Sequence, residues 1–311
     1  IRQTLLGVCA SSPWEARLGR EEFGGEVHSF SAAFKESDVV ELLPISDHLV
    51  FNSFNQLQRF RPLWEKAQGR VSVGLRVNPE HSEGHTELYD PCAPNSLLGI
   101  RRSEFDGKSL AGVDGLHFHT LCEHLFEPLA RTAAVFEEKF GEFLPQMKWI
   151  NFGGGHHITR EGYDIDGLIN LVQYFREKYH VEDYLEPGEA IAIGTGLLVG
   201  EVLDVVHSEI DTAILDLSAT CHMPDILEMP YRPEILDGCD PGVMAHSYRL
   251  GGPSCLAGDV IGDWSFEQPL KPGDRLAFLD MAHYTMVKTT TFNGIQHPHL
   301  CTFEPETGEL K

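Results

Sequence analysis

Three short peptides place residue types that do chemistry at the ends of apolar runs. Asn151-Phe152-Gly153-Gly154-Gly155 offers bare backbone N–H groups that can converge on an anion, above all a phosphate, and equally reads as a plain loop. Leu185-Glu186-Pro187-Gly188 carries a carboxylate which, if buried, needs a cation or a protonated nitrogen opposite it, either a ligand's or an internal partner's. His117-Phe118-His119 sets two imidazoles two residues apart, so that on a strand both project to one face. Such a pair suits a metal, a stack on a planar cofactor, or simple mutual hydrogen bonding. His156-His157 and His297-Pro298-His299 read as solvated loop residues.

The elements that must position these peptides follow from the apolar pattern. Seven short strands stand out, at Gly7–Ala10, Val27–Phe30, His48–Phe51, Val71–Val77, Gly115–His119, Trp149–Phe152 and Tyr184–Pro187. Helical spacing fills the intervals, most clearly at Leu125–Phe143 and Ile165–Tyr179, with a further helix expected at Asn55–Ala67. Ser12-Pro13-Trp14-Glu15 has the form of a capping box opening a helix through Leu18 to Phe23. Repeated strand–helix units imply a parallel sheet, and so many in succession favour a (β/α)8 barrel, whose active sites lie at the C-terminal strand ends. A barrel needs an eighth strand, so the first β/α unit is expected to be missing before Ile1, in agreement with an opening that reads as the tail of a helix. In barrel hydrolases a metal-binding His pair sits on the first strand, whereas His117 and His119 fall far along the chain, which favours the cofactor over the metal.

After Ala190 the character changes. Leu197–Val206, Thr212–Leu217, Arg275–Met281 and Thr285–Phe292 look like strands joined by Gly/Pro turns without intervening helices. The expected organisation is a barrel domain over 1–193 and a mostly antiparallel β-domain over 194–311.

Composition narrows the class. With 24 Lys+Arg against 47 Asp+Glu, the formal net charge is −23, which repels nucleic acid and anionic membranes and attracts cationic ligands. Seven scattered cysteines without a CxxC pair argue against a disulfide framework or a structural zinc site. No apolar run reaches the roughly 18 residues of a membrane span, and no secretory signal is evident, so a cytoplasmic location is expected.

Taken together, the HFH, FGGG and EPGE strand ends, the segment Gly251-Gly252-Pro253-Ser254-Cys255-Leu256-Ala257-Gly258-Asp259 and the late Tyr284 resemble the fold-type III pyridoxal-phosphate decarboxylases, which join an alanine-racemase-like barrel to a β-domain. Within that family, Tyr89-Asp90-Pro91-Cys92-Ala93-Pro94, Ser218-Ala219-Thr220-Cys221-His222-Met223-Pro224-Asp225 and Leu227-Glu228-Met229-Pro230-Tyr231-Arg232-Pro233 resemble the carboxynorspermidine (carboxyspermidine) decarboxylase group. The resemblance runs from about Val8 to Gly294.

The resemblance implies specific roles. His119 stacks on the pyridoxal ring, Gly153, Gly154 and Gly155 cradle the phosphate, Glu186 faces the pyridine nitrogen, and Tyr284 helps to hold the phosphate. Cys255 reaches the partner's site in a homodimer and protonates the carbanion. Where ornithine decarboxylase-like relatives have Arg after EPG, this chain has Glu189, which with Asp216, Asp225, Glu228 and Asp259 suits a polyamine-like substrate. The family's Schiff-base lysine lies on the first barrel strand, in a peptide this sequence lacks, so the chain alone is expected to decarboxylate poorly. The implied reaction is decarboxylation of carboxynorspermidine or carboxyspermidine to norspermidine or spermidine. Diaminopimelate decarboxylation, a lysine-free regulatory homologue and a metal-dependent hydrolase are the alternatives.

Overall fold

Seven segments of the first 190 residues pair side by side in chain order, the last of them Glu182–Tyr184 rather than the expected Tyr184–Pro187. The structure is a computed structural model that describes residues 2–84 and 86–311. It divides between Ile191 and Ala192 into two units. In the first, β1 (Gly7–Ala10), β2 (Glu26–Phe30), β3 (His48–Phe51), β4 (Ser72–Asn78), β5 (Ile100–Arg101), β6 (Gly115–His117), β7 (Trp149–Asn151) and β8 (Glu182–Tyr184) form one sheet. Its order is β1-β2-β3-β4-β6-β7-β8, with the short β5 beside β4, and every pair is parallel. The sheet curls so that Tyr184 of the end strand β8 lies edge-on to His28 of β2, the strand next to the other end, at 4.6 Å. The expected barrel-type α/β architecture is therefore present.

Alternation along the strands sorts residues between the inside of the curl and the helical layer. Leu49, Phe51, Leu75, Leu116 and Ile150 are fully buried with Leu129, Phe136 and Phe140 of the helix Phe126–Phe140 and Phe175 of the helix Ile165–Tyr179. Each such side chain contributes roughly 1.5–3 kcal/mol of burial. On the opposite face Trp149 lies over Gly74 and Gly115, where an added Cβ would come within 2.3 and 2.0 Å of its ring. Trp149 Nε1 donates to Ser72 Oγ at 2.8 Å, which fixes the indole.

Local sequence explains the helix ends. Ile165–Tyr179 starts on Asp164, whose carboxylate accepts from Gly167 N, and stops at His180 in the left-handed region. Ser12 Oγ caps Pro13–Leu18 by accepting from Glu15 N, but the Glu15 carboxylate accepts from Ser11 N, so the reciprocal half of the capping box is displaced by one residue. The continuation Gly19–Phe23 is a single π-type turn. The helix expected over Asn55–Ala67 is instead broken into Phe54–Arg59, Arg61–Trp64 and a 3₁₀ turn Glu65–Ala67. Pro62 supplies no N–H and its ring excludes the preceding helical carbonyl, so the chain steps at Phe60.

The second unit is a five-stranded sheet of β9 (Leu197–Val206), β10 (Thr212–Leu215), β11 (His246–Gly251), β12 (Val260–Phe266) and β13 (Arg275–Leu279), in the order β12-β11-β10-β9-β13. All pairs are antiparallel except β10–β11. Sequence reading missed β11 and β12, which flank the Gly251–Asp259 turn. The strand expected at Thr285–Phe292 is a correction: Tyr284–Val287 is a helical turn and Phe292–Gly294 a 3₁₀ turn. Thr285 Oγ1 donates to Asp225 Oδ2 at 3.0 Å and Thr290 N to Cys221 O at 2.8 Å. These bonds, made inside the unit, override the β-propensity of a Thr-rich run.

Candidate active site

The C-terminal strand ends of the parallel sheet converge on one carboxylate. Glu186 stands two residues past β8, and its side chain is only 13% exposed. Its Oε1 accepts from His117 Nε2 and His119 Nδ1, each at 2.9 Å. Its Oε2 accepts from Cys9 Sγ at 2.9 Å and Asn151 Nδ2 at 3.1 Å. Three strands thus deliver one donor set to the carboxylate that follows β8: Cys9 from β1, the two imidazoles from the end of β6, and Asn151 from β7. The two histidines do project to one face, as their spacing requires.

Burial alone would raise the Glu186 pKa, but the two imidazoles more than offset it and hold the carboxyl well below its usual range. His117, 2% exposed, is pushed down by burial against the opposing pull of Glu186, so a neutral Nε2–H tautomer donating to the carboxylate fits both facts. Desolvation by neighbouring atoms and then the Glu186 charge push the Cys9 thiol well up and keep it a donor, although Cys9 is exposed at the surface of the unit. His119 is the most exposed of the imidazoles, at 34%. Its backbone carbonyl accepts from Arg76 Nη2 at 2.7 Å, and the guanidinium lies over the Phe30 ring. Burial lowers the Arg76 pKa to about 10.

The glycine loop is built against this cluster. Gly153 and Gly155 have φ of +72° and +74°, a backbone region that favours glycine. Added Cβ atoms would meet Phe118 O at 2.4 Å, Glu186 O at 2.2 Å and Leu121 O at 1.8 Å for Gly153, Gly154 and Gly155 respectively. Gly153 N donates to Asn151 Oδ1 at 2.7 Å, while among the described residues the Gly155 N–H meets no acceptor.

His156 and His157 are not solvated; they are 0% and 4% exposed. His156 Nδ1 pairs with Tyr163 OH at 2.7 Å, and His157 Nε2 lies 3.3 Å from Glu189 Oε2. Glu189 therefore meets an imidazole of the glycine-loop segment. Only the partner's burial, invisible in the sequence, distinguishes this from a surface loop.

In the sheet unit, Asp225 is 7% exposed; its Oδ2 accepts from Tyr231 OH at 2.5 Å and from Thr285, while its buried Oδ1 has no hydrogen-bond partner among the described residues. Asp259, 3% exposed, is saturated internally by Ser218 Oγ, Thr220 N and Ser254 N. It fastens the turn that carries Cys255. Cys255 is exposed, with its N–H on Asn293 Oδ1 at 2.8 Å. Tyr284 is 52% exposed.

Sequence reading missed Cys9, Asn151 and Arg76. They lie on β1, β7 and β4; Asn151 closes its strand and could have been found by asking which residue ends it, whereas Cys9 and Arg76 lie one and two residues before their strand ends.

His117, His119 and Glu186 are close enough together to hold a metal ion. His117 Nε2 and His119 Nδ1 are already paired with Glu186 Oε1, and the adjoining glycine loop adds an anion cradle that a bare ion would not need. Pyridoxal phosphate fits better: an ionised, shielded carboxylate for a protonated ring nitrogen, an exposed imidazole able to leave it and stack, and a glycine loop in which, among the described residues, Gly154 N reaches only His119 Nδ1, at 3.4 Å, and the Gly155 N–H stays open to a phosphate.

Comparison with known proteins agrees. Residues 88–282 match the family described as pyridoxal-dependent decarboxylase, C-terminal sheet domain. The chain is 47% identical over 300 residues to a carboxyaminopropylagmatine decarboxylase of Synechocystis, covering 96% of this chain and 77% of that one. It is 45% identical over 311 residues to a carboxynorspermidine/carboxyspermidine decarboxylase of Campylobacter jejuni, covering 96% and 80%. The crystal structure of carboxynorspermidine decarboxylase from Campylobacter jejuni, complexed with norspermidine, superposes with a TM-score of 0.90 at 43% identity over 100% of this chain and 83% of that one. A diaminopimelate decarboxylase from Helicobacter pylori, 17% identical with a TM-score of 0.79, shares the fold. The chain belongs to the pyridoxal-dependent decarboxylases, in the group that includes the carboxynorspermidine/carboxyspermidine decarboxylases.

Proposed function

We propose that this protein decarboxylates a carboxylated polyamine, carboxynorspermidine or carboxyspermidine, to norspermidine or spermidine, with pyridoxal 5'-phosphate as cofactor. The observation that carries the proposal is Glu186, kept ionised by His117 and His119 beside the glycine loop. When bound, the cofactor supplies an electron sink for the pair released with carbon dioxide. Glu186 holds the ring nitrogen protonated, His119 covers the ring face, and Gly153, Gly154 and Gly155 with Tyr284 hold the phosphate. Asp225 retains one buried oxygen with no hydrogen-bond partner among the described residues, which gives it capacity for a substrate ammonium. Glu189 adds negative charge, and Asp259 acts by holding the Cys255 turn. Cys255 acts as a proton donor across a cytoplasmic homodimer. The charge of −23 draws a polycation toward the protein.

Lys139, Lys148 and Lys178 of the first unit pair with Glu80, Asp114 and Glu137. We infer that the 311-residue chain binds the cofactor without covalent capture and turns over slowly. Borohydride treatment of the loaded chain should leave no pyridoxyl-lysine peptide; finding one would remove that reading.

The substrate assignment is tested by carbon dioxide release from carboxynorspermidine, carboxyspermidine, carboxyaminopropylagmatine and diaminopimelate, using the product of the whole reading frame that contains this chain. Turnover of either of the first two supports the proposal. Turnover of diaminopimelate alone, or of carboxyaminopropylagmatine alone, overturns it.

A further inference from the structure

Asn151 closes β7, with its side chain inside the curl and only 3% exposed. Its amide is used at both ends. Nδ2 donates to Glu186 Oε2 at 3.1 Å, and Oδ1 accepts from Gly153 N at 2.7 Å. Both atoms hang on one planar carbon, so neither partner can shift without pulling on the other. The other lone pairs of Glu186 are held by Cys9, His117 and His119. Gly153 is pressed between the Phe118 carbonyl and the His119 backbone at a positive φ. A single buried amide therefore joins the carboxylate for the ring nitrogen to the first residue of the phosphate cradle.

The geometry points to Asn151 as a positioning residue that fixes the distance between the two anchor points for a phosphorylated pyridine, so that a ligand seated by its phosphate presents its ring nitrogen to Glu186. This rests on the cofactor reading above and adds a residue through which its two halves act together. The residue type follows from the task. Aspartate in this position would still accept from Gly153 but would set a second carboxylate against Glu186, and leucine would leave both the Gly153 N–H and a Glu186 lone pair unsatisfied.

The test measures dissociation constants of pyridoxal 5'-phosphate and of pyridoxal, which lacks the phosphate, by equilibrium dialysis. Asn151→Ala should weaken pyridoxal phosphate binding by about tenfold, the loss of one well-made buried hydrogen bond to a charged group. The same substitution should cost threefold or less for pyridoxal, and threefold or less in a Glu186→Gln background, values marking roughly the threshold of measurable coupling. A merely structural role would give one penalty in all three cases, and that outcome, or no penalty at all, overturns the proposal. Asn151→Asp provides a second arm should the alanine variant fail to fold. It keeps the Gly153 bond, so its penalty should be equal for both ligands and should vanish with Glu186→Gln, whose amide can donate to the new carboxylate. A persisting penalty in that double variant also overturns the proposal. Wild-type protein that binds no pyridoxal phosphate would instead refute the cofactor reading itself.

Discussion

Cys9 Sγ lies 2.9 Å from Glu186 Oε2, across a sequence separation of 177 residues. This contact joins the strands at the two ends of the sheet order, and it exists only because the parallel sheet curls. The same curvature brings His117 and Asn151 to the carboxylate, so the chemistry at Glu186 depends on sheet closure.

Glu186→Gln should reduce turnover by about 10²-fold or more, the range for a preorganised charge acting on the reacting system. Gln cannot keep a ring nitrogen protonated, and its amide would set a donor against Cys9 or Asn151. Steady-state decarboxylation and the visible spectrum of bound cofactor check this; native kinetics would refute the assigned role.

Cys255→Ala should slow turnover by about 10²-fold, a typical contribution from one general acid, while the absorbance of bound cofactor stays unchanged. Cys255 is exposed on its unit, so the substitution removes no core packing. Unchanged turnover would remove the proton-donor role.

Gly115→Ala should destabilise the first unit by about 1–3 kcal/mol, the usual cost of overpacking. The added methyl carbon would stand 2.0 Å from the Trp149 ring, and the bond from Trp149 to Ser72 prevents the indole from yielding freely. Gly258→Ala, with nothing within 4 Å of the new carbon, is the control. Urea-unfolding midpoints of the two variants distinguish the outcomes.

His48 gives a pH prediction. Burial first, and the neighbouring His28 second, lower its pKa from the ordinary 6.5 to about 3. The folded protein therefore keeps His48 neutral while the unfolded chain protonates it. The stability His48 contributes is complete above about pH 6.5 and is lost as the pH falls toward about 3, by up to about 1.4 kcal/mol per pH unit. Urea unfolding at about pH 7 and about pH 5.5 should show roughly 1 kcal/mol less loss in His48→Gln than in wild type. Equal losses would contradict the assignment.

The barrel strands, the helix Ile165–Tyr179 and the glycine loop were legible because local rules decide them. Two- and 3.6-residue periodicities, an Asp164 cap and a run of glycines act over a few positions. Glu186 and His119 were legible for a related reason: a carboxylate and an imidazole at strand ends signal chemistry by type and place. Where neighbours from distant segments decided the outcome, the reading went astray. The Thr-rich run after Tyr284 forms turns because Thr285 finds Asp225; Pro62, by contrast, is a local helix breaker that the continuous periodicity around it obscured.

By itself the sequence determined the succession of the main strands and long helices of the first unit, the residue types at the strand ends and an acidic character suited to a cationic substrate, since these depend on composition and short-range spacing. Only the tertiary structure decided that His156 and His157 are buried, that Glu189 faces His157, that Asp259 is saturated by its own turn, and that Asn151 ties Glu186 to Gly153. The energy of a buried polar group is set by the partner it meets, and that partner lies on another strand or loop, brought within about 3 Å by the fold.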